Sequence, residues 1–153
     1  SIDPVTSQGY FLQGLIYGRR GDLEKAESYL KTAVSLNRNN IQGRQILLQI
    51  LIQNNKLNEA AAIAEDIHAE DPKDSGIISL LANIYIETDQ YYRAEELIET
   101  AVNIDNPDVE KIGLIRLLYS VYQELNRTGK IYRLKRVMEK MGIDPFNPPS
   151  LIF

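Results

Sequence analysis

Ala26, Ala60 and Ala94 stand 34 residues apart, and four other sets keep the same step. They are Tyr17, Leu51 and Tyr85; Leu23, Leu57 and Tyr91; Leu30, Ala64 and Ile98; and Ala33, Ile67 and Ala101. Five sets in register over three copies make an internal repeat. A fixed period in this range signals a stacked solenoid, in which each unit buries its apolar face only against its neighbours.

Each copy reads as two helices. In the first, Tyr10 to Tyr17 runs up to Arg20-Gly21-Asp22, where Gly21 suits a helix C-terminus and Asp22 the next N-terminus. Leu23, Ala26, Leu30, Ala33 and Val34 then recur every three to four residues and mark one apolar helix face. Polar turns at 37–40, 54–56 and 88–90 punctuate the copies, and Asp71-Pro72 and Asn106-Pro107 close the second and third.

The fourth copy is altered. Ile131, Leu134, Met138 and Met141 after Gly129 match Leu23, Ala26, Leu30 and Ala33 after Gly21, a step of 40 from Ala94 to Leu134. The extra six residues are expected to lengthen its first helix, from about Val109 to Asn126. The larger side chains there suit a terminal, capping unit.

The organisation expected is therefore repeats at 7–40, 41–74 and 75–108, a capping repeat with a lengthened first helix at 109–145, and a proline-containing apolar tail at 146–153. Residues 1–6 read as the end of an upstream repeat, because Pro4 lies two periods before Pro72, or as a cloning remnant. The tail could fold over the last helix or dock into a neighbouring molecule.

The pattern resembles the tetratricopeptide repeat over nearly the whole chain. That family asks for a small residue and then an aromatic in the first helix, and for alanine, a bulky apolar residue and alanine in the second. Gly14, Tyr17, Ala26, Leu30 and Ala33 fit in the first copy, and Ala82, Tyr85, Ala94, Ile98 and Ala101 in the third. The second departs, with Leu48 at the small position and Ile67 at the second alanine. The resemblance implies an all-α fold, a right-handed α-solenoid of stacked antiparallel helix pairs. It also implies a protein–protein interaction scaffold that binds an extended peptide or partner protein in the concave groove, as part of a longer protein in a multiprotein assembly.

By the same analogy, the groove positions are Phe11, Leu15 and Arg19; Gln45, Gln49 and Gln53; Ser79, Asn83 and Glu87; and Arg116, Tyr119 and Gln123. Asn and Gln carry both a donor and an acceptor and can pair with a peptide backbone whatever its side chains. Phe11, Leu15 and Tyr119 would add apolar anchors. Members that bind chaperone tails use a lysine and asparagine clamp where this chain has Phe11, Leu15, Gln45 and Gln49, so a C-terminal carboxylate is not the expected ligand.

Charge supplies a second candidate. Residues 1–108 carry 9 Lys/Arg against 17 Asp/Glu, whereas residues 109–153 carry 8 against 4. Arg127, Lys130, Arg133, Lys135, Arg136 and Lys140 form a basic set that could meet an acidic protein or the acidic end of another copy, hence a possible homo-oligomer. The plainer reading is a solvated helix face whose cations complement the helix dipole.

Chemistry-bearing patterns are scarce. There is no cysteine, so no thiolate metal site or nucleophile. His68 is the sole histidine and is expected on an outer, solvated face among Glu65, Asp66, Glu70 and Asp71. No phosphate-cradling glycine loop, calcium loop or nucleophile elbow occurs, so no cofactor, metal or enzymatic activity is expected. An RNA-binding helical repeat is a weaker alternative, because the net −8 of residues 1–108 opposes counterion release. No apolar run reaches the ~18 residues of a membrane span and no signal peptide is visible. The chain reads as soluble, either cytoplasmic or, after processing, periplasmic or secreted.

Overall fold

The computed structural model describes residues 4–145, and side chains from residue 6 onward. The described residues form eight α-helices and no strand: α1 (Pro4–Arg19), α2 (Leu23–Leu36), α3 (Ile41–Gln53), α4 (Leu57–Glu70), α5 (Ser75–Glu87), α6 (Tyr91–Ala101), α7 (Ile112–Glu124) and α8 (Thr128–Lys140). A single 3-10 turn, Val109–Lys111, precedes α7. The fold is the all-α helical repeat that the period implies. The backbone comprises two compact units, Ser1–Ile63 and Ala64–Phe153. In the first, α1 packs on α2 and α2 on α3; in the second, α5 packs on α6, α6 on α7 and α7 on α8.

The odd-numbered helices all end the same way. Gly21, Asn55, Asp89 and Asn126 sit at φ of 77°, 56°, 58° and 54°. After each, a backbone N–H reaches back to a carbonyl five residues earlier: Asp22 to Tyr17 (3.0 Å), Lys56 to Leu51 (2.8 Å), Gln90 to Tyr85 (2.7 Å) and Arg127 to Tyr122 (2.9 Å). This Schellman closure needs one residue in the left-handed region, which glycine enters freely and Asn and Asp tolerate. Asp22, Asn40 and Asp74 then cap α2, α3 and α5 with side-chain oxygens that accept backbone N–H bonds.

These closures correct the phase of the fourth repeat. Tyr122 follows Tyr85 by 37 residues, not 40, so Asn126 rather than Gly129 occupies the Gly21 position. Gly129 lies inside α8. The first helix of this repeat is not lengthened: α7 has 13 residues, as do α3 and α5. The three extra residues lie between the end of α6 and the start of α7, a stretch that contains the 3-10 turn. A wide connection on the surface absorbs an insertion far more easily than a helix whose two ends are both capped against neighbours. At the other end, Pro4, expected to close a preceding repeat, instead opens α1. The first helical position tolerates proline because its N–H would have no intrahelical acceptor there. The expected docking of the 146–153 tail lies outside the described residues.

Helix pairs close by exchange of size. A Cβ on Gly14 would lie 2.6 Å from Leu30 Cγ, so only glycine lets α1 approach α2 over that side chain. The same two register positions hold Ala82 and Ile98 in the third repeat, both fully buried. In the second they hold Leu48 and Ala64, large and small exchanged, and both are buried. The departure at Leu48 is thus matched by a smaller residue at position 64.

Candidate partner-binding surface

The candidate groove residues lie along single faces of the odd-numbered helices, because residues four apart stack one above another. On α3 the face is open: Gln45, Gln49 and Gln53 are all exposed, while Leu47, Leu48, Ile50 and Leu51 behind them are buried. On α1, Leu15 is half-buried and Arg19 exposed. On α5, Ser79 and Asn83 are half-buried and Glu87 is exposed. The Oδ1 of Asn83 is shielded from solvent and has no hydrogen-bond donor. Arg116 on α7 is half-buried.

Three expected groove residues fall elsewhere. Phe11 is 7 % exposed, although Gln45 at the same register is open to solvent. An aromatic ring gains by leaving water where a glutamine does not. Tyr119 is 5 % exposed. With the step of 37 it takes the small-residue position of Gly14 and Ala82, which faces the partner helix of its own pair. The ammonium of Lys135 sits 5.9 Å from the centre of its ring. Gln123 is exposed but shifted off the face by one residue. The α7 residues that continue the face of Ser79, Asn83 and Glu87 are Arg116, Ser120 and Glu124. Ser120 and Glu124 escape a reading based on the alanine spacing. The asparagine at the αL turn, position 126, was the signal that would have found them.

The basic set is mostly spoken for. Arg127 grips the buried carboxylate of Glu95 with two hydrogen bonds, Nε to Oε1 at 3.1 Å and Nη2 to Oε2 at 3.0 Å. Lys130 donates to Glu95 and to Glu99, each at 2.7 Å. Arg133 pairs with Asp105. Arg127, Lys130 and Arg133 therefore hold α8 to acidic groups of α6 and the stretch after it, and do not form a free basic surface. The acidic and basic blocks of the sequence attract one another within the fold.

The same arrangement recurs between repeats. Lys31 pairs with Glu59 (2.6 Å), Glu65 with Arg93 (2.9 Å) and Glu99 with Lys130 (2.7 Å), all at equivalent positions. Where the acid comes from the earlier repeat, a tyrosine completes the clasp. Tyr85 donates to Glu65 at 2.8 Å and Tyr122 to Glu99 at 2.6 Å. The cation lies over the ring, Arg93 at 4.5 Å from Tyr85 and Lys130 at 5.3 Å from Tyr122. Burial and the bond to Glu65 push the Tyr85 hydroxyl up to about 12, and the same causes raise Tyr122. Both tyrosines stay protonated donors at any physiological pH.

His68 is half-buried rather than fully solvated, and its Nδ1 is shielded without a hydrogen-bond partner. It lines a cleft of about 350 Å³ with Glu65, Pro72, Tyr85, Arg93 and Thr100. Among the described residues, no cluster of His, Asp and Glu is arranged to hold a metal ion, and no helix is long and apolar enough to cross a membrane.

Comparison with known proteins places this architecture. The sequence profile of the tetratricopeptide repeat matches residues 19–75 and 51–118. A search of curated protein sequences gives no significant match. Among solved structures, MamA from Desulfovibrio magneticus, residues 41 to the end, is similar over 91 % of this chain and 76 % of its own, at 20 % identity and a TM-score of 0.65. A tetratricopeptide repeat protein from Parabacteroides merdae is similar over 89 % of this chain and 52 % of its own, at 21 % identity and a TM-score of 0.68. BtubC from P. vanneervenii is similar over 99 % and 72 %, at 20 % identity and a TM-score of 0.58. At such identities the structures speak for the fold alone. The profile, the 34-residue step and the repeated Schellman closures agree, and this chain belongs to the tetratricopeptide repeat family.

Proposed function

We propose that this chain is a protein-interaction scaffold that takes an extended peptide or partner segment along the exposed faces of its odd-numbered helices, within a multiprotein assembly. The observation that carries this reading is the row of three exposed glutamines on α3, Gln45, Gln49 and Gln53. Each turn of that helix offers an amide donor and acceptor, a chemistry suited to a peptide main chain. Leu15 and Arg19 on α1, and Ser79, Asn83, Glu87, Arg116, Ser120 and Glu124 on α5 and α7, extend the same kind of face within their own units. A helix-dipole or solvation role would not need glutamine on three successive turns.

Selection of a displayed random-peptide library on the whole chain tests the reading. Peptides so isolated should bind the Gln45→Ala/Gln49→Ala variant at least about tenfold more weakly, a loss of about 1.4 kcal/mol. Equal affinity for both forms would remove this face as the site.

A further inference from the structure

The tyrosine–cation clasp described above also exists at the start of the chain. Lys25 stands 5.3 Å from the ring centre of Tyr17, the same separation as Lys130 from Tyr122. Tyr17 and Lys25 hold the register of Tyr85 with Arg93 and of Tyr122 with Lys130. In both of those cases the pair receives a glutamate from the preceding helix, Glu65 on α4 and Glu99 on α6.

The helix face around the clasp follows the same register. On α7, Ile115, Leu118 and Val121 are fully buried and Tyr122 is 1 % exposed. At the matching positions of α1, Tyr10 is 36 % and Ile16 42 % exposed, Gln13 is exposed and Tyr17 is half-buried. Tyr17 and Tyr10 both lean on Tyr29 of α2, with ring centres 5.2 and 6.1 Å apart. The face is an ordered aromatic surface beside a cation that is 61 % exposed. Lys25 also pairs with Asp22 at 3.1 Å, as Arg93 bonds to Gln90, so this local partner does not preclude a second acceptor.

We propose that Tyr10, Gln13, Ile16 and Tyr17, with Lys25, form a docking face for an amphipathic helix of a partner protein that carries a glutamate beside its apolar stripe. The glutamate would accept from Tyr17 and Lys25, as Glu99 accepts from Tyr122 and Lys130. A second copy of this chain does not supply that group. At the end of the array the register position of Glu65 and Glu99 is Arg136, and stacked end to end it would set a guanidinium against Lys25. This face is distinct from the glutamine face of the proposed peptide site, and each can fail without the other.

The probe is a lactam-stabilised helical peptide of the α6 sequence, residues 91–103, labelled for fluorescence anisotropy. The whole chain should bind it, and a Glu99→Lys peptide should bind at least about tenfold more weakly. The Lys25→Glu chain should reverse that preference, and Ile16→Asp should abolish binding of both peptides. Both substitutions are on the surface, and circular dichroism verifies that the helices persist. Equal binding of the two peptides, no saturation by about 1 mM, or binding unaffected by Ile16→Asp would overturn the proposal. Sedimentation that shows a dimer of the unliganded chain, dispersed by Ile16→Asp, would also overturn it by making a second copy the occupant.

Discussion

The carboxylate of Glu27 on α2 accepts a hydrogen bond at 2.8 Å from the ammonium of Lys56, the residue just before α4. The bond is made again two repeats later, where Glu95 on α6 receives Arg127, the residue just before α8. Glu27 and Glu95 are 4 % and 6 % exposed, and both belong to otherwise apolar helix faces. The second repeat has Ala61 and Gln90 at these positions. A buried acid tolerates such a place only when donors surround it, so acid and base are present together or absent together.

Glu27 makes stability dependent on pH. Burial raises its pKa, but hydrogen bonds from Lys31, Lys56 and Asn54 outweigh that and hold it at about 2. A depressed carboxyl contributes stability above its unfolded value, near 4.5, and that contribution is lost as pH falls through the folded value. Urea titrations should show stability falling by at most about 3 kcal/mol between pH 4.5 and pH 2 from this group. Glu27→Gln should flatten the profile in that window while lowering stability at pH 7. An unchanged acid limb in the variant would exclude Glu27 as its source.

Gly14 should not accept a side chain. A methyl there would meet Leu30, which is fully buried and cannot move away. Gly14→Ala should destabilise the chain by roughly 1–2 kcal/mol, despite the better helix propensity of alanine. Gly14→Ala combined with Leu30→Val should lose less than the two single changes summed, as measured in a double-mutant cycle by chemical denaturation.

The corrected register predicts opposite signs for two nearby substitutions. Asn126 is left-handed at φ 54°, so Asn126→Ala should destabilise by about 1 kcal/mol. Gly129 is helical and a methyl added there would meet only open space, so Gly129→Ala should stabilise by roughly 0.5 kcal/mol. Thermal melts that rank the two the other way would restore the step of 40 residues.

The polarity of the inter-repeat pair depends on the tyrosine. Swapping Glu65 and Arg93, as Glu65→Lys with Arg93→Glu, rebuilds an ion pair like that of Lys31 and Glu59. The swap leaves the Tyr85 hydroxyl without its acceptor, which costs about 1–3 kcal/mol. Adding Tyr85→Phe should recover most of that loss, because the first-unit version of the pair has Leu51 in this place. No recovery on denaturant titration would show that the hydroxyl does not govern the pair.

The all-α repeat and the helix pairs were legible because burial imposes the 34-residue period directly on the chain. Leu30, Ala64 and Ile98 recur for packing alone. The site was less legible. Gln45, Gln49 and Gln53 share one exposed face, but Phe11 turned inward and Tyr119 was misplaced by the altered step. Exposure of one aromatic residue depends on what its neighbours leave open, and no local pattern reports that.

The sequence by itself determined the period, the helical fold and the approximate ends of the helices, since apolar spacing and turn residues are local properties. Only the tertiary structure decided that Arg127 and Lys130 serve Glu95 and Glu99 rather than a partner, and that Tyr17 and Lys25 repeat a clasp completed elsewhere. Charges about 30 residues apart in the chain lie within hydrogen-bond reach across a repeat junction. Their balance is set by burial and distance, which the linear order does not contain.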